Sequence, residues 1–150
     1  MNRQSLVPAP FARGAHTSAF GVNPDVGFAV DVTFALSPDA DKKKIGDIKL
    51  GKGPVVARGP NFNPKLFDLV LHTARKRKID VQLDAAPRGT GTDANAMQLT
   101  RAGVQSSLIS VPNRYMHTPV EMCDLRDVEQ CAALIADTIL ELTPETDFVL

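Results

Sequence analysis

The 150-residue sequence has no excess charge of either sign, with 17 Lys and Arg set against 17 Asp and Glu. That balance removes the global field that draws a chain to nucleic acid or to an anionic membrane surface. There is also no apolar run approaching the roughly 20 residues that a membrane helix requires. The segment Met1–Pro10 lacks the apolar block of a secretory signal. These absences lead to the expectation of a cytoplasmic protein with no nucleic-acid and no membrane partner. Cysteine is scarce: Cys123 and Cys131 stand eight apart, a spacing that fits neither a metal knuckle nor a disulfide framework. They read as two reduced thiols on or beside a helix, since cytosolic disulfides are rare. No GxSxG elbow, HExxH pair or GxxxxGK[ST] phosphate loop occurs, and there is no internal repeat.

What is present describes a globular domain. The apolar fraction is 43% and the charged fraction 23%, ordinary for a folded chain long enough to build a core. Residues 1–11, with Pro8 and Pro10 and no amphipathic period, read as a divergent, disordered leader. Ala12–Phe20 reads as a short helix stopped by Gly21 and the Asn23-Pro24 turn. Val26–Phe34, VGFAVDVTF, is nearly continuous in apolar and β-branched residues, the pattern of a central strand buried on both faces. A solvated loop with Lys42, Lys43 and Lys44 follows. Ile45–Ala57 then reads as a short strand, a glycine turn and a second strand from Pro54.

Asn63 and Pro64 open a helix as cap and first residue. Leu66, Phe67, Leu69, Val70, Leu71 and Ala74 supply its apolar face, and Arg75–Lys78 its basic end. Cations there complement the helix dipole, so the cluster needs no nucleic acid to explain it. Ile79–Leu83 and Ser107–Val111 read as strands and Thr92–Ala102 as a helix. A last helix starts at Asp124 or Arg126 and carries Val128, Cys131, Ala132, Leu134, Ile135, Ile139, Leu140 and Leu142 at helical spacing. Strand–helix alternation of this kind predicts an α/β/α sandwich with a mixed, largely parallel sheet.

Three places carry chemistry. Asp31 interrupts an apolar strand, where an ionised carboxylate costs several kcal/mol unless paired or metal-bound. His117 lies between two prolines in PNRYMHTPVEM, beyond the C-terminal end of the strand SLISV. Ligands of open α/β sheets bind in that position, and neutral imidazole is the commonest metal ligand. RGTGTDAN, residues 88–95, reads as a tight turn with Thr92 or Asp93 capping the next helix, and with a second role for Asp93 at a site rim. His16 and His72 fall on helices and read as structural.

In order along the chain, RGAHTSAFGVNPDVGFAVDVTFA, IKLGKGPVVARGPNFNPKLFDL and GTDANAMQLTRAGVQSSLISVPNRYMHTPVEMCDLRDVE resemble the C-terminal part of the tetrahedral, or glutamyl, aminopeptidase family. The likeness runs from about Ala12 to Leu142. It implies an α/β/α catalytic domain over residues 12–150, two divalent metal ions (zinc or cobalt), peptide substrates and a homo-oligomer. Within it, Asp31 matches the carboxylate ligand of one ion and His117 the imidazole ligand of the other. Thr92, Asp93 and Arg114 are candidates for substrate contacts. The family's HxDxxG motif and bridging Asp have no counterpart in this sequence, and Pro8 and Ala9 stand where its Glu-Glu pair belongs. The resemblance therefore predicts a truncated, inactive part of a metalloaminopeptidase, with no catalytic residue assigned and metal binding weak or absent. The alternative is a non-catalytic assembly subunit, or half of a split enzyme awaiting its N-terminal half. A polysaccharide hydrolase lacks support, because no carboxylate pair stands out.

Overall fold

A computed structural model describes residues 12–38 and 46–149. The expected leader and the Lys42–Lys44 run lie outside the described residues. The elements are α1 (Arg13–Val22), β1 (Val26–Phe34), β2 (Val55–Arg58), α2 (Pro64–Arg77), β3 (Gln82–Ala85), α3 (Asp93–Met97), β4 (Gln105–Asn113) and α4 (Leu125–Leu140). Four strands form one sheet in the order β1-β4-β2-β3. β1 runs parallel to β4 over their full lengths, from Val26 opposite Gln105 to Phe34 opposite Asn113. β2 and β3 are parallel, whereas β2 and β4 are antiparallel. The expected mixed, largely parallel sheet is what forms.

Side chains alternate across a strand, so neighbouring residues of each strand feed opposite layers. On one face, Val56, Ile109 and Val111 meet Phe67, Val70 and Ala74 of α2 and Cys131 and Leu134 of α4. On the other, Ala29, Ala57 and Leu108 meet Phe62 and Ala94, with Met97 packed alongside. Helices thus cover both faces, which completes the α/β/α arrangement.

α2 forms where Asn63 and Pro64 direct it. The Asn63 carboxamide oxygen accepts from Leu66 N at 3.0 Å, satisfying one of the orphan amides of the first turn. Its Nδ2 donates to Gln105 Oε1 and to the Phe148 carbonyl, tying the helix start to β4 and to the C-terminal segment. At the other end Lys76 pairs with Glu141 at 2.7 Å and Arg77 with Asp137 at 3.2 Å. Lys76 and Arg77 of the basic cluster therefore pair with α4 and its end.

α4 is anchored at its first turn. Asp124 caps it by accepting from Arg126 N. The Arg126 guanidinium beside that carboxylate holds Asp124 down at about 2. Asp127 is buried and accepts from Gly51 N at 2.7 Å and Gly53 N at 2.9 Å. Gly53 has φ +87°, and a Cβ there would lie 1.8 Å from the Asp80 carbonyl oxygen, so only glycine fits. Both cysteines are free. Cys123 is exposed, while burial, with Asp127 nearby, pushes the Cys131 thiol up to about 12, which removes thiolate chemistry from it.

Several sequence expectations need correction. β1 has the expected ends but lies at the sheet edge, with Val30 57% and Phe34 47% exposed. An apolar, β-branched run reports that a strand is suited to being covered; it does not say which polypeptide covers it. α1 continues through Gly21 to Val22 and ends at Asn23, which takes the left-handed conformation with φ 53°. Of the strand pair expected in Ile45–Ala57, only the second forms among the described residues, because the backbone of 46–53 is occupied by turns. β3 starts three residues later than expected, at Gln82. α3 stops at Met97 instead of reaching Ala102, followed by turns in which Arg101 adopts φ 53°. Thr92 occupies the cap position of α3 but makes no side-chain cap bond.

Candidate functional site

β1 and β4 are parallel neighbours, so their C-terminal ends emerge together at one end of the sheet. Asp31 sits on β1 opposite Ser110 of β4. It is half-buried, and Oδ1 accepts from Val32 N at 2.8 Å. By alternation it faces the same side of the sheet as Ala29, the side covered by α3.

His117 follows β4 in a loop closed by a pair of bonds between Arg114 and Met122. Its backbone is left-handed, with φ 66°, uncommon for a residue with a side chain. The exposed imidazole lies edge-on to the Phe34 ring, centroids 6.4 Å apart. Phe34 ends β1, three residues or about 10 Å beyond Asp31 along the strand. By the same alternation Phe34 faces the opposite layer from Asp31, so adjacent strands lead toward one end of the sheet while the His117 ring packs on the Phe34 side.

The three remaining candidates are near that end. Ala94 packs with Ala29, and Met97 lies against Gly27, so α3 runs back along β1. Its starting residues, half-buried Thr92 and exposed Asp93, accordingly point toward the Asp31 end. The Thr92 hydroxyl is 2.8 Å from that of Thr90. Arg114 Nε donates to the Leu36 carbonyl at 2.8 Å, stitching the loop after β4 to the segment after β1.

Sequence reasoning missed the clamp that shapes the His117 loop. Glu121 accepts from the His117 backbone N–H at 2.6 Å through Oε1 and from Asn113 Nδ2 at 3.0 Å through Oε2. The His117 amide, and after it the Asn113 carboxamide, hold the Glu121 carboxyl below its ordinary value. Asn113 is itself buried, and its Oδ1 lacks a hydrogen-bond partner among the described residues. The signal was a carboxylate four residues after a histidine in a proline-bounded loop. It went unread because loop hydrogen bonds leave no periodic trace.

A carboxylate oxygen and an imidazole nitrogen are suitable donors for divalent zinc or cobalt. Two are too few, however, since a zinc site takes three or four protein ligands. Among the described residues no group of three or more His, Cys, Asp or Glu is placed to hold a metal ion. The donors present therefore do not make a complete site for even one ion. No helix of the described residues is long and apolar enough to cross a membrane.

Comparison with known proteins accounts for both the likeness and the shortfall. The lysyl aminopeptidase of Pyrococcus furiosus is 48% identical over 132 residues, covering 88% of this chain and 38% of the relative. The aminopeptidase of the archaeon Desulfurococcus kamchatkensis superposes with a TM-score of 0.81 at 39% identity, over 90% of this chain and 39% of that one. The TET1 peptidase of Pyrococcus horikoshii, which can assemble into a tetrahedron or a large octahedral shell, superposes with a TM-score of 0.71 at 32% identity, over 89% of this chain and 38% of that one. The chain thus spans about two fifths of the length of the relatives it matches. The sequence pattern of the M42 glutamyl aminopeptidases matches residues 12–134, and this chain belongs to that family.

Proposed function

We propose that residues 12–150 are the C-terminal part of an aminopeptidase catalytic domain, in which Asp31 and His117 each give a terminal ligand to one of two divalent ions, zinc or cobalt. The complete domain removes N-terminal residues from peptides in the cytoplasm, with Thr92, Asp93 and Arg114 at the substrate pocket. The observation that supports this reading is that β1, which carries Asp31, and β4, which leads into the His117 loop, are parallel neighbours whose C-terminal ends share one end of the sheet. Assembly into a homo-oligomer is supported by the tetrahedral and octahedral shells of the Pyrococcus horikoshii relative.

Among the described residues the reading gives one donor per ion, and Pro8 and Ala9 stand in the sequence where the family's Glu-Glu pair belongs. Water attack needs a base within reach of the proton, so autonomous turnover is not expected. Titration calorimetry with zinc and with cobalt should show only weak binding. An aminoacyl chromogenic substrate should remain intact with either ion. Tight binding or metal-dependent turnover by the isolated chain would overturn this reading. A second reading, a non-catalytic assembly subunit, is favoured by the uncovered edge of β1. It predicts that Asp31→Asn and His117→Ala leave the metal content of the completed assembly unchanged, whereas the first predicts its loss.

A further inference from the structure

The loop after β4 is closed at its base, where Arg114 and Met122 exchange two backbone hydrogen bonds. Between them, among the described residues, 115–121 make no backbone-to-backbone bond. In that stretch Tyr115 and His117 both take left-handed backbone, with φ 58° and 66°, and both are exposed. A Cβ makes this conformation unfavourable, and it persists where the surroundings over-determine it. Burial offers no compensation here, so side-chain hydrogen bonds must hold the loop.

Two side chains do so. Thr118 Oγ1 donates to the Tyr115 carbonyl at 2.6 Å. Glu121 accepts from the His117 N–H at 2.6 Å with one oxygen and from Asn113 Nδ2 at 3.0 Å with the other. Asn113 is the buried last residue of β4, and its backbone carbonyl accepts from Ala35 N at 2.8 Å. The carboxylate thus spans from a fixed strand end to an exposed residue that carries an imidazole. Fixing the backbone of His117 fixes its Cα–Cβ direction, which leaves the ring two torsions. The edge contact with Phe34 then receives the ring. The bonds of Glu121 bury nothing at the tip; what they set is where the imidazole points.

We propose that Glu121 is a positioning residue: by joining Asn113 to the His117 amide it fixes the direction in which the His117 imidazole is presented. The inference rests on the reading of His117 as a functional side chain at that end of the sheet. The role requires hydrogen-bonding geometry and not a negative charge. Asn113 Oδ1 has no hydrogen-bond partner among the described residues. A glutamine at position 121 can therefore accept from the His117 N–H with its oxygen. Its amide nitrogen then donates to Asn113 Oδ1 once the Asn113 carboxamide turns over. Glutamine keeps both links of the clamp, whereas alanine keeps neither.

The test is nuclear magnetic resonance of the full chain, with the His117 and Phe34 signals assigned. Glu121 is exposed, so its variants should retain the fold, checked by circular dichroism and by unchanged shifts along β1 and β4. Glu121→Ala should speed exchange of the His117 amide about tenfold or more, the scale of losing a hydrogen bond to a charged group. It should also abolish magnetisation transfer between the imidazole and the Phe34 ring. Glu121→Gln should restore both signatures to those of the parent chain. An imidazole that stays against Phe34 in Glu121→Ala overturns the proposal. So does a glutamine variant as loose as the alanine one. Zinc added to the parent chain separates this inference from the one beneath it. His117 ring signals indifferent to zinc would defeat the ligand assignment and leave the positioning role of Glu121 standing.

Discussion

α2 and α4 lie on the same face of the sheet and are joined by two ion pairs, yet only α2 is fully used by the chain around it. α2 buries Leu66, Phe67, Val70 and Ala74 over β2 and β4, and what it exposes is polar or charged. α4 buries Cys131, Leu134 and Thr138 but leaves Val128, Ile139 and Leu140 in solvent, with an apolar groove alongside. Both are amphipathic by sequence. The difference is the width of the apolar stripe: that of α2 matches what the sheet offers, and that of α4 extends past it. A helix whose stripe is wider than its partner surface records a neighbour.

That contrast can be tested from its largest expected effect downward. Leu66→Ala in α2 should cost about 3 kcal/mol in urea unfolding, the usual loss for a fully buried leucine. Val128→Ala in α4 should stay within about 0.5 kcal/mol, as surface substitutions do. Similar losses for the two would remove the distinction. Asp127→Ala should cost about 3 kcal/mol, because it strips a buried carboxylate from two backbone amides. That loss would show that α4 is pinned from its first turn and not by its exposed stripe. Asn63→Ala should cost about 1–2 kcal/mol through loss of the α2 cap. The smallest effect belongs to Asp124. Its folded pKa of about 2 lies below the ordinary 3.8, so its contribution is present above 3.8 and is lost as pH falls through about 2. Asp124→Asn should flatten that part of the melting temperature against pH and change little at pH 7. An unaltered acid limb would show that the Arg126 pair has no influence on folding.

Much of this was legible in the sequence, for identifiable reasons. The ends of β1 and the start of α2 followed from an uninterrupted apolar run and from Asn63-Pro64, both local signals. Asp31 and His117 stood out because a carboxylate in an apolar strand and an imidazole past a strand end violate local expectation. The edge position of β1 was not legible, since burial pattern carries no record of which chain supplies the cover. Short α3 was over-read because Leu99 continues the apolar period although the helix has ended at Met97 and turns follow it. The Glu121 clamp and the Asp127 tie were invisible for a common reason: each relies on a carboxylate accepting from a backbone amide, which has no residue code.

The Asp127 tie also bears on the order of events in folding. It joins Gly53 to a residue 74 positions away, closing a long loop for two hydrogen bonds. Loop closure of that length is entropically costly before the sheet exists, so the tie is expected to form after the rate-limiting step, as refolding and unfolding rates of Asp127→Ala would show. Removing it should therefore steepen the escape from the native state while leaving the refolding rate near that of the parent chain. On that expectation Asp127 is a latch on the first turn of α4, and its loss is read in the unfolding rate.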